Sequence, residues 1–188
     1  LIRRQLFRAQ HVDEVDAGPA DVAGRFAKMR LRSGRFDITV MGVYVPPFSG
    51  SVSQSSWRES VSAIIGTLHG HVQSAPSRST RIVCMDLNDD MGAHFARGSA
   101  PISLQSLAVP IPGRRAEGFA GTRMRRLLEM DGLVAANCVS RFDETFYGPQ
   151  GSQSSRIDYI CCPQQLPIVA CKLNHRQARK LQLITDNR

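Results

Sequence analysis

Residues 36–88 carry an apolar strand, an amphipathic helix and a second apolar strand in succession, and that order leaves few architectures open. Phe36, Ile38 and Val40 alternate with polar residues and run into Met41-Gly42-Val43-Tyr44-Val45. This later half is apolar on both faces, as inside a sheet, until Pro46-Pro47 ends the ladder because neither residue can donate to it. A helix is predicted from about Trp57 to Val72, with Ser56 three residues before Glu59 as a capping box and Trp57, Val61, Ile64, Ile65, Leu68 and Val72 on one stripe. Arg81-Ile82-Val83-Cys84-Met85 then makes a short buried strand that stops at Asp86-Leu87-Asn88-Asp89-Asp90. A helix between two strands covers a sheet, so its stripe is expected to be core. His69 and His71, on its last turn, are expected in solvent.

The flanking segments extend the same pattern. Ala27, Met29 and Leu31 alternate with Lys28, Arg30 and Arg32, and Ser33-Gly34 supplies a turn, so residues 25–45 read as a hairpin. Residues 91–121 are rich in Gly, Pro, Ser and Arg without a steady period and read as a long connection. A second helix is predicted from about Arg123 to Met130, ending at Gly132, with a strand at Leu133–Cys138 behind it. Residues 141–147 and 155–161 read as a further strand pair around the turn Gly148-Pro149-Gln150-Gly151. With 188 residues, 42% of them hydrophobic, residues 1–188 are expected to form a single domain. No run approaches about 18 apolar residues, and the basic opening Leu1–Arg8 leads into no long apolar segment, which excludes a membrane span and a secretory signal.

Lys and Arg number 24 against 16 Asp and Glu, a formal charge of +8, so the surface favours polyanions such as nucleic acid. The five cysteines form no CxxC pair and their number is odd, which suggests neither a zinc site nor a disulfide framework and fits a reducing, intracellular compartment. Those inside apolar runs, such as Val83-Cys84-Met85 and Ile160-Cys161-Cys162, are expected to be small buried hydrophobes.

Polar residues gather where apolar strands stop: Tyr44, the pair Asp86 and Asn88, and Asp158 with Thr145 thirteen positions upstream. Cleaving a phosphodiester needs a carboxylate to orient or deprotonate water, a divalent cation to offset oxyanion charge, and neutral donors that hold the phosphate. Asp86, Asn88 and Tyr44 are residues of those types. The competing reading is that Asp86 and Asn88 cap a strand-to-loop turn, a common job for Asx residues.

Three short motifs in order resemble the endonuclease/exonuclease/phosphatase superfamily, and within it the apurinic-like endonuclease domains of non-LTR retrotransposons. Val43-Tyr44-Val45-Pro46-Pro47 is similar to the family's Y-x-P strand end, Met85-Asp86-Leu87-Asn88 to its G-D-x-N motif, and Ser155-Arg156-Ile157-Asp158-Tyr159-Ile160 to its S-x-I-D-x-I motif. The resemblance spans about residues 25–162. It implies an α+β fold, a DNase I-like two-sheet β-sandwich flanked by helices (α/β/β/α), with the active site where loops meet at one end of the sheets. It also implies metal-dependent phosphodiester cleavage with Mg²⁺ as cofactor and DNA, rather than RNA, as substrate. In those terms Asp86 aligns or activates the attacking water and is the candidate metal ligand. Asn88 contacts the scissile phosphate, Tyr44 donates to a phosphate oxygen, and Asp158 supports the site. Thr145 and Arg156 belong with substrate binding, and nuclear localisation follows by analogy with the family.

The chain also departs from the family pattern. The Asn and metal-binding Glu that precede the tyrosine strand in the family have no counterpart, and Glu14, in the polar stretch Val12–Asp16, is not accepted as a substitute. At the other end, either Asp186 and Asn187 occupy the family's Asp-His positions, as substrate-binding residues, or that pair lies beyond Arg188. Both ends are therefore expected to be truncated. With so few carboxylates, a hard Mg²⁺ ion binds poorly without substrate phosphate, and these 188 residues are expected to have little nuclease activity. Two functions stay side by side: a DNA-nicking domain of a retroelement, its arginines (Arg114, Arg115, Arg123, Arg125, Arg126) tracking phosphates, or a catalytically silent basic subunit of a larger protein or ribonucleoprotein assembly.

Overall fold

A computed structural model of the chain describes residues 9–34, 36–91, 118–136, 146–147, 154–155 and 157–166. Strands β1 (Val12–Asp16), β2 (Phe26–Ser33), β3 (Phe36–Tyr44), β4 (Thr80–Asp86), β5 (Leu133–Ala135) and β8 (Asp158–Pro163) form one mixed sheet in the order β1-β2-β3-β4-β8-β5. β6 (Phe146–Tyr147) and β7 (Ser154–Ser155) pair separately as a two-stranded sheet. The helices are α1 (Gln54–Ser74) and α2 (Phe119–Met130). β3 and β4 run parallel, joined by α1, while every other neighbouring pair in the large sheet is antiparallel. The predicted strand–helix–strand unit and the hairpin upstream are thus both present. Of the predicted last strand pair, residues 158–163 instead enter the large sheet between β4 and β5.

The core lies on the helix side of the sheet. Met41 and Val43 of β3, Val83 and Met85 of β4, and Tyr159 and Cys161 of β8 point to that side and pack with Val61, Ile64, Leu68 and Val72 of α1 and Met124, Leu127 and Leu128 of α2. Strand alternation sends Cys84, between Val83 and Met85, to the opposite face, where it is exposed. Its apolar neighbours suggested burial, but period two overrides composition. Cys161 and Cys162 are buried, as expected.

Two boundaries differ from the sequence reading because the caps come from elsewhere. α1 begins one turn early: Ser53, not Ser56, is the cap, and its hydroxyl accepts the Ser56 backbone N–H at 3.1 Å. α2 begins at Phe119 because Asp89, from the loop after β4, accepts the Gly121 N–H at 2.9 Å. A Cβ at Gly118 would collide with that carboxylate. Gly132, with φ +64°, ends α2 in the left-handed conformation that side chains resist.

The polar stretch 12–16 forms edge strand β1, which its composition concealed. Its carboxylates meet the basic residues of β2: Glu14 lies 2.6 Å from the Lys28 ammonium and Asp13 3.3 Å from Arg30. Glu14 is therefore committed to Lys28 and separated from β4 by two strands. Arg30 also grips Asp37 with two hydrogen bonds of 2.9 and 2.7 Å, and that contact, with help from Ser79 and Arg78, holds the Asp37 carboxyl well below the usual carboxylate range.

The two histidines expected in solvent are both engaged. His71 stacks on Phe26 at 4.5 Å, and His69 Nδ1 lies 3.1 Å from the Asp131 carboxylate, which also accepts from Gln73 at 2.5 Å. Asp131 is buried and ties the C-terminus of α2 to α1. Asp131→Ala leaves these donors without their acceptor and is expected to lower stability by about 1–3 kcal/mol, read as a shift in the urea midpoint. An unchanged midpoint would show the tie to be dispensable.

Candidate active site

Parallel strands β3 and β4 end side by side, and β8 starts beside the end of β4. The register makes Tyr44 the Cα partner of Asp86, and Asp86 the Cα partner of Asp158. Three residues remote in sequence therefore form one row across three neighbouring strands at the carboxyl ends of the parallel pair. In open α/β sheets this is where ligands bind, because the strand ends and their loops leave a crevice there. The row is on the face opposite the helices, the face of Cys84, since Asp86 lies two residues after it.

The loop that follows β4 is held to the end of β3. The Val45 N–H donates to the Asp86 carbonyl at 2.9 Å, and the Asn88 side-chain amide donates to the Val45 carbonyl at 2.9 Å. Asn88 takes φ +51°, a left-handed conformation that Asn tolerates better than most residues. The turn role weighed for Asn88 is thus real, yet one bond uses only one of its two amide N–H groups. Leu87 N–H donates to the Ile157 carbonyl at 2.7 Å, and Met91 N–H to the buried Tyr159 hydroxyl at 3.1 Å, which fastens the loop to β8 as well.

Asp86 is the electrostatic centre of the row. Its Oδ1 is buried and has no hydrogen-bond partner among the described residues. Desolvation, and then the nearby Asp158 carboxylate, push the Asp86 carboxyl above its ordinary value, against a smaller opposing pull from the Asn88 backbone N–H. Such an arrangement suits a hard cation with oxygen ligands, which would complete the orphaned oxygen and offset two like charges. Among the described residues, no group of three or more His, Cys, Asp or Glu side chains forms a ready-made metal cage. Mg²⁺ sites commonly use one or two carboxylates and take the remainder from water and substrate phosphate.

One further residue meets the row that sequence patterning did not single out. Arg25 accepts the Tyr44 N–H on its carbonyl at 2.8 Å, and its guanidinium lies 4.9 Å from the centre of the Tyr44 ring. It stands in the turn before β2, outside any periodic run, so only its neighbours in space reveal it. Thr145, Arg156, Asp186 and Asn187, as well as Arg114 and Arg115, lie outside the described residues. Of the other basic residues, Arg125 pairs with Glu129 at 2.9 Å, Arg126 is exposed, and Arg123 lies over the Phe119 ring.

A cleft of about 670 Å³ opens at the other end of the sheet, lined by Gln10, Asp13, Arg32, Asp37 and Arg78 among others. Its size does not make it the reaction site. Its charges satisfy one another, with Arg78 3.0 Å from Asp37 and Arg32 3.5 Å from Asp13, whereas the strand-end row keeps an unpartnered oxygen.

No family model matches the sequence, and no curated protein matches it significantly. Solved structures do. The 3′ phosphatase NExo from Neisseria, bound to a product DNA hairpin, superposes with a TM-score of 0.53 at 13% identity, over 81% of this chain and 58% of that one. The endonuclease domain of TRAS1, a telomere-specific non-LTR retrotransposon, gives a TM-score of 0.46 at 18% identity, over 84% of this chain and 58% of that one. This chain thus spans less than two thirds of either structure. The described residues thus share the DNase I-like fold of NExo.

Proposed function

We propose that this endonuclease/exonuclease/phosphatase-like fold carries a metal-dependent phosphodiesterase site for DNA, part of a single domain that nicks target DNA for a retroelement. The observation that carries the reading is the row Tyr44–Asp86–Asp158 with its buried, unpartnered Asp86 oxygen. The formal charge of +8 supports an anionic substrate. The retroelement assignment rests on the three sequence motifs, and NExo, which shares the fold, was solved with DNA.

In this reading Asp86 orients the attacking water and, with Asp158, offers carboxylate oxygens to a divalent cation. When bound, that cation supplies positive charge against the oxyanion that builds on the phosphate. Tyr44 donates its hydroxyl to a phosphate oxygen, with Arg25 stacked on its ring as a nearby cation. Asn88 donates its second amide N–H to the scissile phosphate. Thr145 and Arg156 keep the substrate-binding roles the resemblance implies, as do Asp186 and Asn187 if they, rather than residues beyond Arg188, hold the family's Asp-His positions. Two carboxylates are few oxygens for Mg²⁺, so hydrolysis by these 188 residues alone is slow.

Thermal melts with and without Mg²⁺ test the site independently of turnover. At a cation concentration about ten times Kd, binding to the folded state is worth ~1.4 kcal/mol. The wild-type midpoint should rise, and the rise should vanish in Asp86→Asn and Asp158→Asn. An equal rise in all three proteins would overturn the metal site. Plasmid nicking should stay near background; robust nicking abolished by Asp86→Ala would instead refute the slow-turnover claim. DNA binding with no Mg²⁺ response at all would favour the catalytically silent basic subunit.

A further inference from the structure

One cluster near the row takes no part in the chemistry above. Beyond Val45, the chain passes through Pro46-Pro47 to Phe48, which is 48% exposed. Phe48 is not loose. Its ring lies 5.6 Å from that of Trp57 at a tilt of 59°, and Trp57 in turn lies 5.8 Å from Phe119 at 53°. The Trp57 indole N–H donates to the Pro46 carbonyl at 2.9 Å, which fixes the loop that carries Phe48. Three rings from three segments, the β3–α1 loop, the first turn of α1 and the start of α2, are thus joined in a tilted chain.

Two cations flank the same rings. The Arg58 guanidinium lies 5.1 Å from the centre of Phe119 and that of Arg123 5.5 Å, and both arginines are exposed. No carboxylate is recorded as an ion-pair partner of either among the described residues, in contrast to Arg30, Arg78 and Arg125. The cluster lies at the same end of the sheet as the row, on the helix side. Pro46 follows Val45, the residue held by Asn88, and Phe119 opens the helix capped by Asp89.

An exposed ring braced by two others, with exposed guanidinium groups beside it, is the composition of a nucleobase platform. Aromatic faces stack on bases of any sequence, and the arginines hold the phosphates between them. We propose that Phe48, supported by Trp57 and Phe119 and flanked by Arg58 and Arg123, stacks on an unpaired base of the strand whose phosphate reaches Asp86. This rests on the phosphodiesterase reading and names what that site grips: a DNA strand with at least one base out of its pair. A folded protein partner docking through the same rings is the competing outcome, and the two exposed arginines at the rings favour nucleic acid.

Trp57 is the only tryptophan in the chain, so its emission reports on this cluster alone. The full chain is titrated at low salt with oligo-dT and with an oligonucleotide of equal length whose sugars lack bases. Oligo-dT should quench Trp57 and bind about tenfold or more tightly than the abasic strand, in the range expected for one stacked base. Phe48→Ala and Phe48→Leu should both erase that difference, while their melting temperatures stay at the wild-type value. Equal binding of the two strands would overturn the platform. So would a Phe48→Leu variant that keeps full discrimination, which marks a merely apolar contact of the kind a protein partner makes. Failure here with an intact Mg²⁺ response refutes the platform and spares the metal site; base-dependent binding without an Mg²⁺ response does the reverse.

Discussion

Asp86→Asn should melt at a higher temperature than the wild-type protein at neutral pH in the absence of divalent ions. Burial and Asp158 both disfavour the ionised carboxylate, and among the described residues Oδ1 has no donor to compensate it. The folded state therefore binds the Asp86 proton more tightly than the unfolded chain does. Below the ordinary aspartate pKa of about 3.9 both states are protonated and nothing is lost. As pH rises from there through the raised folded value, the wild-type protein loses stability that the Asn variant keeps. Water screens a partly exposed carboxylate, which holds the gain to about 1 kcal/mol, or ~2–4 °C. The two melting curves should converge on acidification, and Mg²⁺ should reverse their order at neutral pH. A variant less stable than wild type at every pH would show that the Asp86 carboxylate serves the fold rather than a ligand.

Asp37 carries the opposite sign. Its carboxyl is held below the usual range by Arg30, so it stabilises the fold at neutral pH and ceases to do so as pH falls below the ordinary aspartate value. The sheet thus has a stabilising carboxylate at one end and a destabilising one at the other. Ion pairing at one end and an open oxygen at the other is the contrast expected between a structural cluster and a binding site.

The second large effect is structural. Tyr159 is 2% exposed, fills the core beneath the row and accepts the Met91 N–H with its hydroxyl. Tyr159→Ala removes a buried ring and is expected to cost about 3–5 kcal/mol. That is a large share of the 5–15 kcal/mol typical of whole domains, so the variant should be partly unfolded near 37 °C. Tyr159→Phe keeps the ring and drops the hydroxyl that accepts the Met91 N–H, at about 1–2 kcal/mol. Hydrogen exchange at the Met91 amide separates the two effects: Phe should speed exchange there while the α1 amides stay protected. A loss under about 1 kcal/mol for Tyr159→Ala would mean that β8 is not anchored through this ring.

The strand ends were legible because each carries strong local chemistry. Pro46-Pro47 stops β3, and the Asx-rich run after Met85 marks the end of β4, so Tyr44, Asp86 and Asn88 could be named from residue order alone. The pairing register that aligns Tyr44, Asp86 and Asp158 needs the folded sheet, and only the motif resemblance anticipated it. Other features depended on groups distant in sequence. Asp89 caps a helix some thirty residues ahead, Arg25 reaches the site through Tyr44, and acidic β1 becomes a strand only because basic β2 lies beside it. Phe48 did leave a trace, an aromatic residue in the turn-forming run Pro46-Pro47-Phe48-Ser49-Gly50, but only the braced rings give that trace a meaning.

The placement of β8 between β4 and β5 also governs when the row can come into being. On the ribosome, Tyr44 and Asp86 emerge well before Asp158, and residues 87–157 must all be synthesised before the third member can dock. Until then β4 offers an unpaired border with Val83 and Met85 beside it, a surface that chaperones and neighbouring chains can seize. A nascent chain halted before residue 158 therefore lacks the completed row and keeps a sticky edge.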